Sequence, residues 1–526
     1  MSVRKYLLFS IALVSILKMN AQSVNFSQDI ASIIYTHCTS CHRQGEIAPF
    51  ALTNYNEIKA WGPMIKYVTA IKFMPPWKAD PTFQNYLREN VLSDDQIQKI
   101  ANWVDNGMPQ GDPSLEPPLP VFPEGSQIRE PDLVLSYAQS YTQKGINQDV
   151  YRYFAIPTGL TEDKDLIGLE IRPGNKSILH HALAWEDTTG EAAAADAADP
   201  EYGYFGNEND ILDQLNDQLP GYVPGQRPVL YSHGMAQKLH AGSYIKLQVH
   251  YAPTPVDQQD SSSINLFFAE TPVNRYVKSH VMVPLPGVLT NGPFFIPANQ
   301  IREFHGVYTF TEKVSLLNIS PHMHYLGKSW RVYAIKPGGD TVNLVKVNDW
   351  DFNWQGNYTF KKPIILPAGT KVHAYAKYDN TVNNPYNPNN PPRAVSWGER
   401  TQDEMYYLPF SWVSYRDGDE DLDFDDVTTS LENESLYSIQ NELYPIYPVP
   451  ANQEAIIGYT LNQGASVRLN VLNITGNVVE FIYQSGFHQP GFHTHKLDVS
   501  AYTPGMYIVL LQVGNKTHAQ KLVVTR

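Results

Sequence analysis

The chain has 526 residues, 39 Lys+Arg against 53 Asp+Glu and a net charge of −14; that length holds roughly three or four domains, and an acidic chain without a basic stripe is not a nucleic-acid binder. With 33 Tyr, 21 Phe and 9 Trp beside 39 Pro and 33 Gly, the composition suits β-rich domains with many turns. Its two cysteines, Cys38 and Cys41, share one motif, which excludes a disulfide framework elsewhere.

At the N-terminus, Arg4-Lys5, an apolar run from Tyr6 to Leu17 and the small residue Ala21 have the layout of a secretory signal peptide at 1–21. The run is too short to span a bilayer, and no later run is long enough for a membrane helix. The expected product is exported and has no transmembrane helix.

Ile30, Ile33 and Ile34 then recur at helical spacing within Phe26 to Tyr35. Cys38-Thr39-Ser40-Cys41-His42 follows directly. C-x-x-C-H is the attachment signal for c-type haem: the thiols bond the vinyl groups and the histidine ligates iron. Met74, in a loop stiffened by Pro75 and Pro76, is the expected sixth ligand, ahead of Met64 and Met108. A thioether there raises the potential, which suits electron transfer. Ser93 opens a further helix with Gln96 as its capping-box partner, Ile97, Ile100, Ala101 and Val104 as its apolar face and Asn106-Gly107 as its end. Residues 23–110 together resemble a small, all-α class I cytochrome c. A proline-rich linker at 111–130 is expected to be extended.

From 131 to 430 the pattern is short strands and turns, the signature of β-sandwiches. Leu239-His240-Ala241-Gly242-Ser243-Tyr244-Ile245 recurs as Leu366-Pro367-Ala368-Gly369-Thr370-Lys371-Val372, so two tandem sandwiches are expected, at 131–280 and 281–430. Histidines mark both. In the first, His180 and His181 are adjacent, and His250 shares a strand face with Tyr244, Lys246 and Gln248, away from the apolar Ile245, Leu247 and Val249. Neighbouring side chains of a regular strand point to opposite faces, so His180 and His181 can share an ion only where the backbone is bulged or looped. In the second, a strand running into His322-Met323-His324 puts both imidazoles on one face with Asn318 and Ser320, opposite Leu317, Ile319 and Met323. Met405 lies downstream. Three imidazoles suit copper in either oxidation state, and two with a thioether favour Cu(I). An isolated HxH is more often a pair of surface histidines; the set is what points to metal.

The order HH, H, HxH, M, with Leu247-Gln248-Val249-His250-Tyr251, His322-Met323-His324-Tyr325-Leu326-Gly327-Lys328 and Asp403-Glu404-Met405-Tyr406-Tyr407 as anchors, resembles the copper type II, ascorbate-dependent monooxygenases, the peptidylglycine and dopamine hydroxylase family. The resemblance implies two copper ions, one held by His180, His181 and His250 as an electron relay and one held by His322, His324 and Met405 as the oxygen-activating, catalytic site. It implies two jelly-roll-like sandwiches with a solvent cleft between the coppers, O2 as co-substrate, and hydroxylation of a C–H bond in a small-molecule or peptide-like substrate. Ser320 stands where the peptide-amidating branch has an Arg that grips the substrate carboxylate, and Tyr407 and Pro409 replace its Asn and Tyr, so that branch's substrate clamp is absent. Electrons are expected from an external donor such as ascorbate or through the fused haem. The competing expectation is a copper-binding or electron-transfer protein that hydroxylates nothing. His233, His240, His280, His305 and His373 match no ligand position and read as structural or surface residues. The acidic run Asp417–Asp423 reads as a solvated loop in preference to a calcium site.

Residues 440–526 read as a small all-β sandwich, with strands at Val467–Leu472, Val478–Ile482, Gly491–Asp498 and Gly505–Gln512. They resemble the sorting domain of type IX secretion, which implies that machinery as a partner and a secreted or surface-attached product. His493-Thr494-His495 repeats the HxH pattern with no third ligand in register. The expected fold class is thus multidomain: an all-α cytochrome c unit, two tandem β-sandwiches and an all-β C-terminal sandwich.

Overall fold

A computed structural model describes residues 24–120, 122, 125–206, 211, 214–424, 442–443, 446, 450–461, 464–488, 491–514 and 516–525. The signal peptide expected at 1–21 lies outside them. The chain forms two compact units, one ending at Pro76 and resuming over Asn90–Leu119, the other comprising Trp77–Glu89 and the chain from Pro120 onward.

The first unit is helical. Phe26–Ile30, a π-turn, runs into Ala31–His37; Tyr55–Ala70 and Asp94–Asp105 follow. The Ser93–Gln96 capping box forms as the sequence pattern requires. The deepest residue of that last helix is Trp103, fully buried, whose indole N–H donates to Pro109 O at 3.0 Å; Ala101, expected on the apolar face, is only half-buried. Phe26, Ile30, Ile34, Ile58 and Ile100 complete the core. Tyr55–Ala70 was not expected as a helix. Its Pro63 and its exposed Trp61, Met64 and Tyr67 blur the two-faced pattern by which a surface helix is read.

Residues 77–89, expected inside the haem domain, belong to the second unit. Ala79 bridges Val347 and Tyr86 bridges Phe360. The Tyr86 hydroxyl donates to Leu344 O at 2.8 Å, and Trp77 meets Tyr358 edge-on at 5.4 Å. Two large aromatic side chains bury more surface there than a polar loop could. The linker expected to be extended holds a 3₁₀ turn at Pro113–Leu115.

The first sandwich packs a five-stranded sheet, in the order Leu133–Ser136, Ser263–Phe268, Lys164–Arg172, Met235–Leu239, Arg275–Tyr276, on a four-stranded one, Val150–Pro157, Tyr244–Tyr251, Leu179–Asp187, Leu219–Tyr222. Leu166, Leu169, Leu247 and Val249 fill the space between them. The second pairs Lys278–Met282, Leu408–Ser414, Val314–Ile319, Tyr358–Leu366 with Ile301–Thr309, Lys371–Asp379, Gly327–Ile335, Thr341–Val347, around Phe304, Trp330, Val332 and Phe410. Strand pairing passes from one sandwich to the other between Tyr276 and Lys278.

The internal repeat is a structural one. In each sandwich it turns the chain from one sheet to the other, with Gly242 and Gly369 at φ +71° and +84°, where a side chain is strained. Ser243 Oγ donates to His240 O at 2.8 Å and Thr370 Oγ1 to Pro367 O at 2.6 Å, closing the same turn twice.

The acidic run is not simply solvated. Asp419 is buried; Arg275 Nη1 reaches both its carboxylate oxygens at 2.7 Å, and Ser315 Oγ donates to it at 2.5 Å. In the C-terminal region the strands are Glu454–Leu461, Ala465–Asn473, Val478–His488, Gly491–Asp498, Gly505–Val513 and Lys516–Val524 around a core of their own. The strand from Val478 runs to His488, six residues beyond expectation. That brings the His488 ring to 5.2 Å from His493, so a third histidine does neighbour that HxH.

Candidate metal centre

His180 and His181 open the strand Leu179–Asp187, and the pairing of that strand with Tyr244–Tyr251 slips between Leu179 and His181. The slip is the bulge that two adjacent histidines need in order to turn to one side. His181 then pairs directly with His250. The Nδ1 atoms of His180 and His181 are 3.1 Å apart, and those of His181 and His250 are 3.4 Å apart. Two nitrogens about 2.05 Å from one ion at a tetrahedral angle lie about 3.3 Å apart, so this trio has the spacing of a ligand set. His180 Nε2 is buried with no protein partner.

The second set departs from the expected strand. Val314–Ile319 ends at Ile319, beyond which Ser320 N–H donates to Pro409 O at 2.9 Å and His322 and Tyr407 exchange backbone bonds at 2.8 and 3.2 Å. A bulge between Leu316 and Asn318 turns Leu317 into a different apolar cluster from Ile319 and Met323. The His322 and His324 rings nevertheless meet at 5.2 Å and 88°. Met405 is buried and lines one cavity of about 140 Å³ together with His181, His322 and His324.

Each ring's orientation is set by a neighbour. His250 Nε2 lies 2.7 Å from Asp149 Oδ1, His322 Nδ1 2.6 Å from Gln355 Oε1, and His324 Nδ1 3.2 Å from Asp403 O. An N–H donated outward to each oxygen leaves the other ring nitrogen with its lone pair for a metal. Burial pushes His180 down to about 3 and His322 down to about 4, and holds His181, His250 and His324 below the ordinary imidazole value. All five rings are neutral at pH 7, the state that binds metal.

Four residues that sequence reasoning passed over organise this centre. Asp149 holds His250 and accepts from Thr401 Oγ1 at 2.6 Å. Phe352 stacks on His180 at 4.7 Å and touches His324 at 5.7 Å. Gln355 orients His322. Fully buried Glu404 accepts the backbone N–H groups of His324, of Leu326 at 3.0 Å and of Met405 at 2.8 Å. Burial pushes its carboxyl up to about 8 against those donors. A carboxylate beside the apolar run from Met405 to Trp412 was the one available signal; Phe352 gave none.

Both ligand sets border that cavity, through His181 on one side and His322, His324 and Met405 on the other. His181 and His322 lie 5.7 Å apart between ring centroids. The sandwiches are tied beside them by Asp149 to Thr401, by Gln248 Nε2 to Glu399 Oε2 at 2.8 Å and by Tyr407 O–H to Gln218 Oε1 at 3.1 Å.

In the helical unit, the Cys41 and His42 N–H groups donate to Cys38 O at 3.2 and 3.0 Å, closing the motif into a turn. His42 Nδ1 donates to Phe50 O at 3.2 Å, which puts the lone pair on Nε2. Burial pushes the Cys38 thiol up to about 12. Met74 follows the helix Tyr55–Ala70, its N–H on Val68 O. Met108 packs so closely on Gly62 that a Cβ there would stand 2.4 Å from its sulfur. Trp61, Met64, Ile71 and Phe73 are 39–54% exposed and give this unit an apolar surface.

Of the remaining histidines, His240 pairs with Glu186, His280 with Asn216 and His233 with Ser232, while His305 and His373 hydrogen-bond each other at 3.0 Å.

Comparison with known proteins identifies the tail. Residues 445–525 match the family model of the secretion system C-terminal sorting domain. The chain carries a type IX export signal. The protein is therefore sent to the cell surface or beyond, with the secretion machinery as a partner. Among the described residues, no helix is long and apolar enough to cross a membrane. No curated protein matches the chain. Among solved structures, a Parabacteroides merdae β-glucuronidase is similar over 50% of this chain and 32% of its own, at 10% identity and TM-score 0.14. A two-domain protein of unknown function from Bacteroides fragilis is similar over 53% and 93%, at 12% identity and TM-score 0.15. This chain thus spans about a third of the β-glucuronidase, and neither likeness bears on activity.

Proposed function

We propose that the protein is an exported copper-dependent monooxygenase that hydroxylates a C–H bond of a small substrate, with an attached haem c module that passes electrons to it. The observation that carries the reading is the convergence of five imidazoles, three with their Nδ1 atoms at ligand spacing and two beside a buried thioether on a shared cavity. Copper, when bound, supplies one-electron redox and oxygen activation, and haem c supplies one-electron transfer. The balance is substrate C–H, O2, two electrons and two protons giving C–OH and water.

The chain's own residues set the conditions. His180, His181 and His250 hold one ion, and His322, His324 and Met405 hold the other. Asp149, Gln355 and the Asp403 carbonyl fix which ring nitrogen is presented. Glu404 pins the backbone that carries His324 and Met405. Phe352 covers the rings and keeps water from them. Ser320, also on the cavity wall, offers no charge to a substrate carboxylate, which argues against peptide amidation. In the helical unit Cys38 and Cys41 would attach the haem, with His42 and Met74 as its axial ligands.

Metal analysis of the full chain tests this first: two coppers and one haem iron are expected. His322→Ala is expected to lose one copper and all substrate-dependent O2 uptake with the haem spectrum intact. Fully loaded protein that consumes no O2 across a broad panel of small substrates would refute the hydroxylase reading in favour of a non-hydroxylating electron carrier. Reduced haem that is not reoxidised by the copper-loaded protein under O2 and substrate would refute the haem's role.

A further inference from the structure

We infer that the five imidazoles form one dinuclear metal centre, with His181 at the junction, in place of two independent sites. The inference rests on the copper reading above and concerns how the two ligand sets relate. Within the first set the ring centroids lie 4.8–5.3 Å apart, and within the second 5.2 Å. From His181 to His322, across the sets, the separation is 5.7 Å. The spacing between the sets is therefore nearly the spacing inside them.

Three further observations point the same way. His181 lines the same cavity as His322, His324 and Met405, so a small molecule held there reaches both sets. Phe352 packs on a ring of each set, His180 of the first and His324 of the second. The two sandwiches are joined beside the rings by the Asp149–Thr401, Gln248–Glu399 and Gln218–Tyr407 hydrogen bonds, which hold the approach in place. Ions held by these rings would face one shared cavity, where one small ligand would reach both and their unpaired electrons would couple.

The test is a spin count. The full-length, haem-containing protein is loaded with Cu(II), and copper is measured by metal analysis on the same sample used for electron paramagnetic resonance. With two coppers bound per chain, the integrated copper signal is expected to fall below half of the copper present. His324→Ala, which removes a ligand from one set only, is expected to keep one copper with its full signal, which shows that the missing intensity comes from pairing. Two coppers per chain with two full spins would overturn the dinuclear centre and leave the monooxygenase reading standing. Fewer than two coppers in the wild-type protein would overturn that reading itself, and the dinuclear centre with it.

Discussion

Asp149 is the most informative residue to remove. Burial alone would raise its carboxyl, but the donations from His250 and Thr401 outweigh that and hold it below the usual range, so it is ionised at neutral pH. The bond from His250 Nε2 is therefore charge-assisted, worth about 1.5–3 kcal/mol. In Asp149→Ala the Nε2 of a ring that is 1% exposed has no acceptor. The ring then no longer favours the tautomer that points an Nδ1 lone pair at His181. Loss of an anchor to a ligating histidine typically lowers metal affinity about 10- to 100-fold, or about 1.4–2.7 kcal/mol, in line with the lost bond. The assay is a competition titration of Cu(I) against a chromophoric chelator, on the full chain. Asp149→Ala should weaken one of the two copper equivalents by that factor and leave the other close to wild type. Asp149→Asn keeps an acceptor oxygen and should lose less than about tenfold. Wild-type affinity in the alanine variant, or an equal loss in both variants, would refute the tautomer argument.

Glu404→Ala should cost about 1–3 kcal/mol of unfolding free energy, because three backbone donors lose their buried acceptor; urea denaturation reads it, and a change under about 0.5 kcal/mol would count against the anchoring role. Copper-free protein should lose stability as pH falls from about 6.5 toward 4, since the unfolded chain then binds protons that the five buried rings refuse. Each ring contributes up to about 1.4 kcal/mol per pH unit in that window. Denaturation midpoints at mildly alkaline and mildly acidic pH check the sign, and a midpoint that rises on acidification contradicts it.

The parts of this architecture legible in the sequence were those set by neighbours along the chain. The Cys38–His42 motif, the Ser93 capping box, the alternation of Tyr244–Tyr251 and the repeated glycine turn are all local, and local chemistry forms them. The bulge needed at His180 and His181 was deduced as a condition, because side-chain alternation permits nothing else. What escaped was settled by distant partners. Trp77 and Tyr86 sit in a stretch that reads as loop, and only strands more than 250 residues away make it a packed segment. The strand pairing reaches His322 and stops there because Glu404 takes the His324 and Leu326 amides that a longer ladder would have used. The closeness of His181 to His322 depends on how two sandwiches meet, which no periodicity records.

That meeting also makes the centre sensitive to contacts far from any imidazole. Arg275 ends the first sandwich, while Ser315 and Asp419 belong to the second, and the Arg275–Asp419 pair, with side chains 7% and 5% exposed, is a tie between the two. Breaking a buried pair by removing one partner costs about 3–5 kcal/mol, because the other charge stays buried, whereas replacing both with apolar residues is often neutral. Asp419→Asn should therefore lower the unfolding free energy by about that much. Arg275→Met with Asp419→Leu should recover most of it. If the seam between the sandwiches sets the distance between the ligand sets, Asp419→Asn should also restore part of the copper spin signal with both ions still bound, and the double variant should lose it again. Asp419 touches no ligand, so a purely local role would change stability and leave the spin count alone. Destabilisation without any change in coupling would show that the hydrogen bonds beside the rings are sufficient to hold the two sets together.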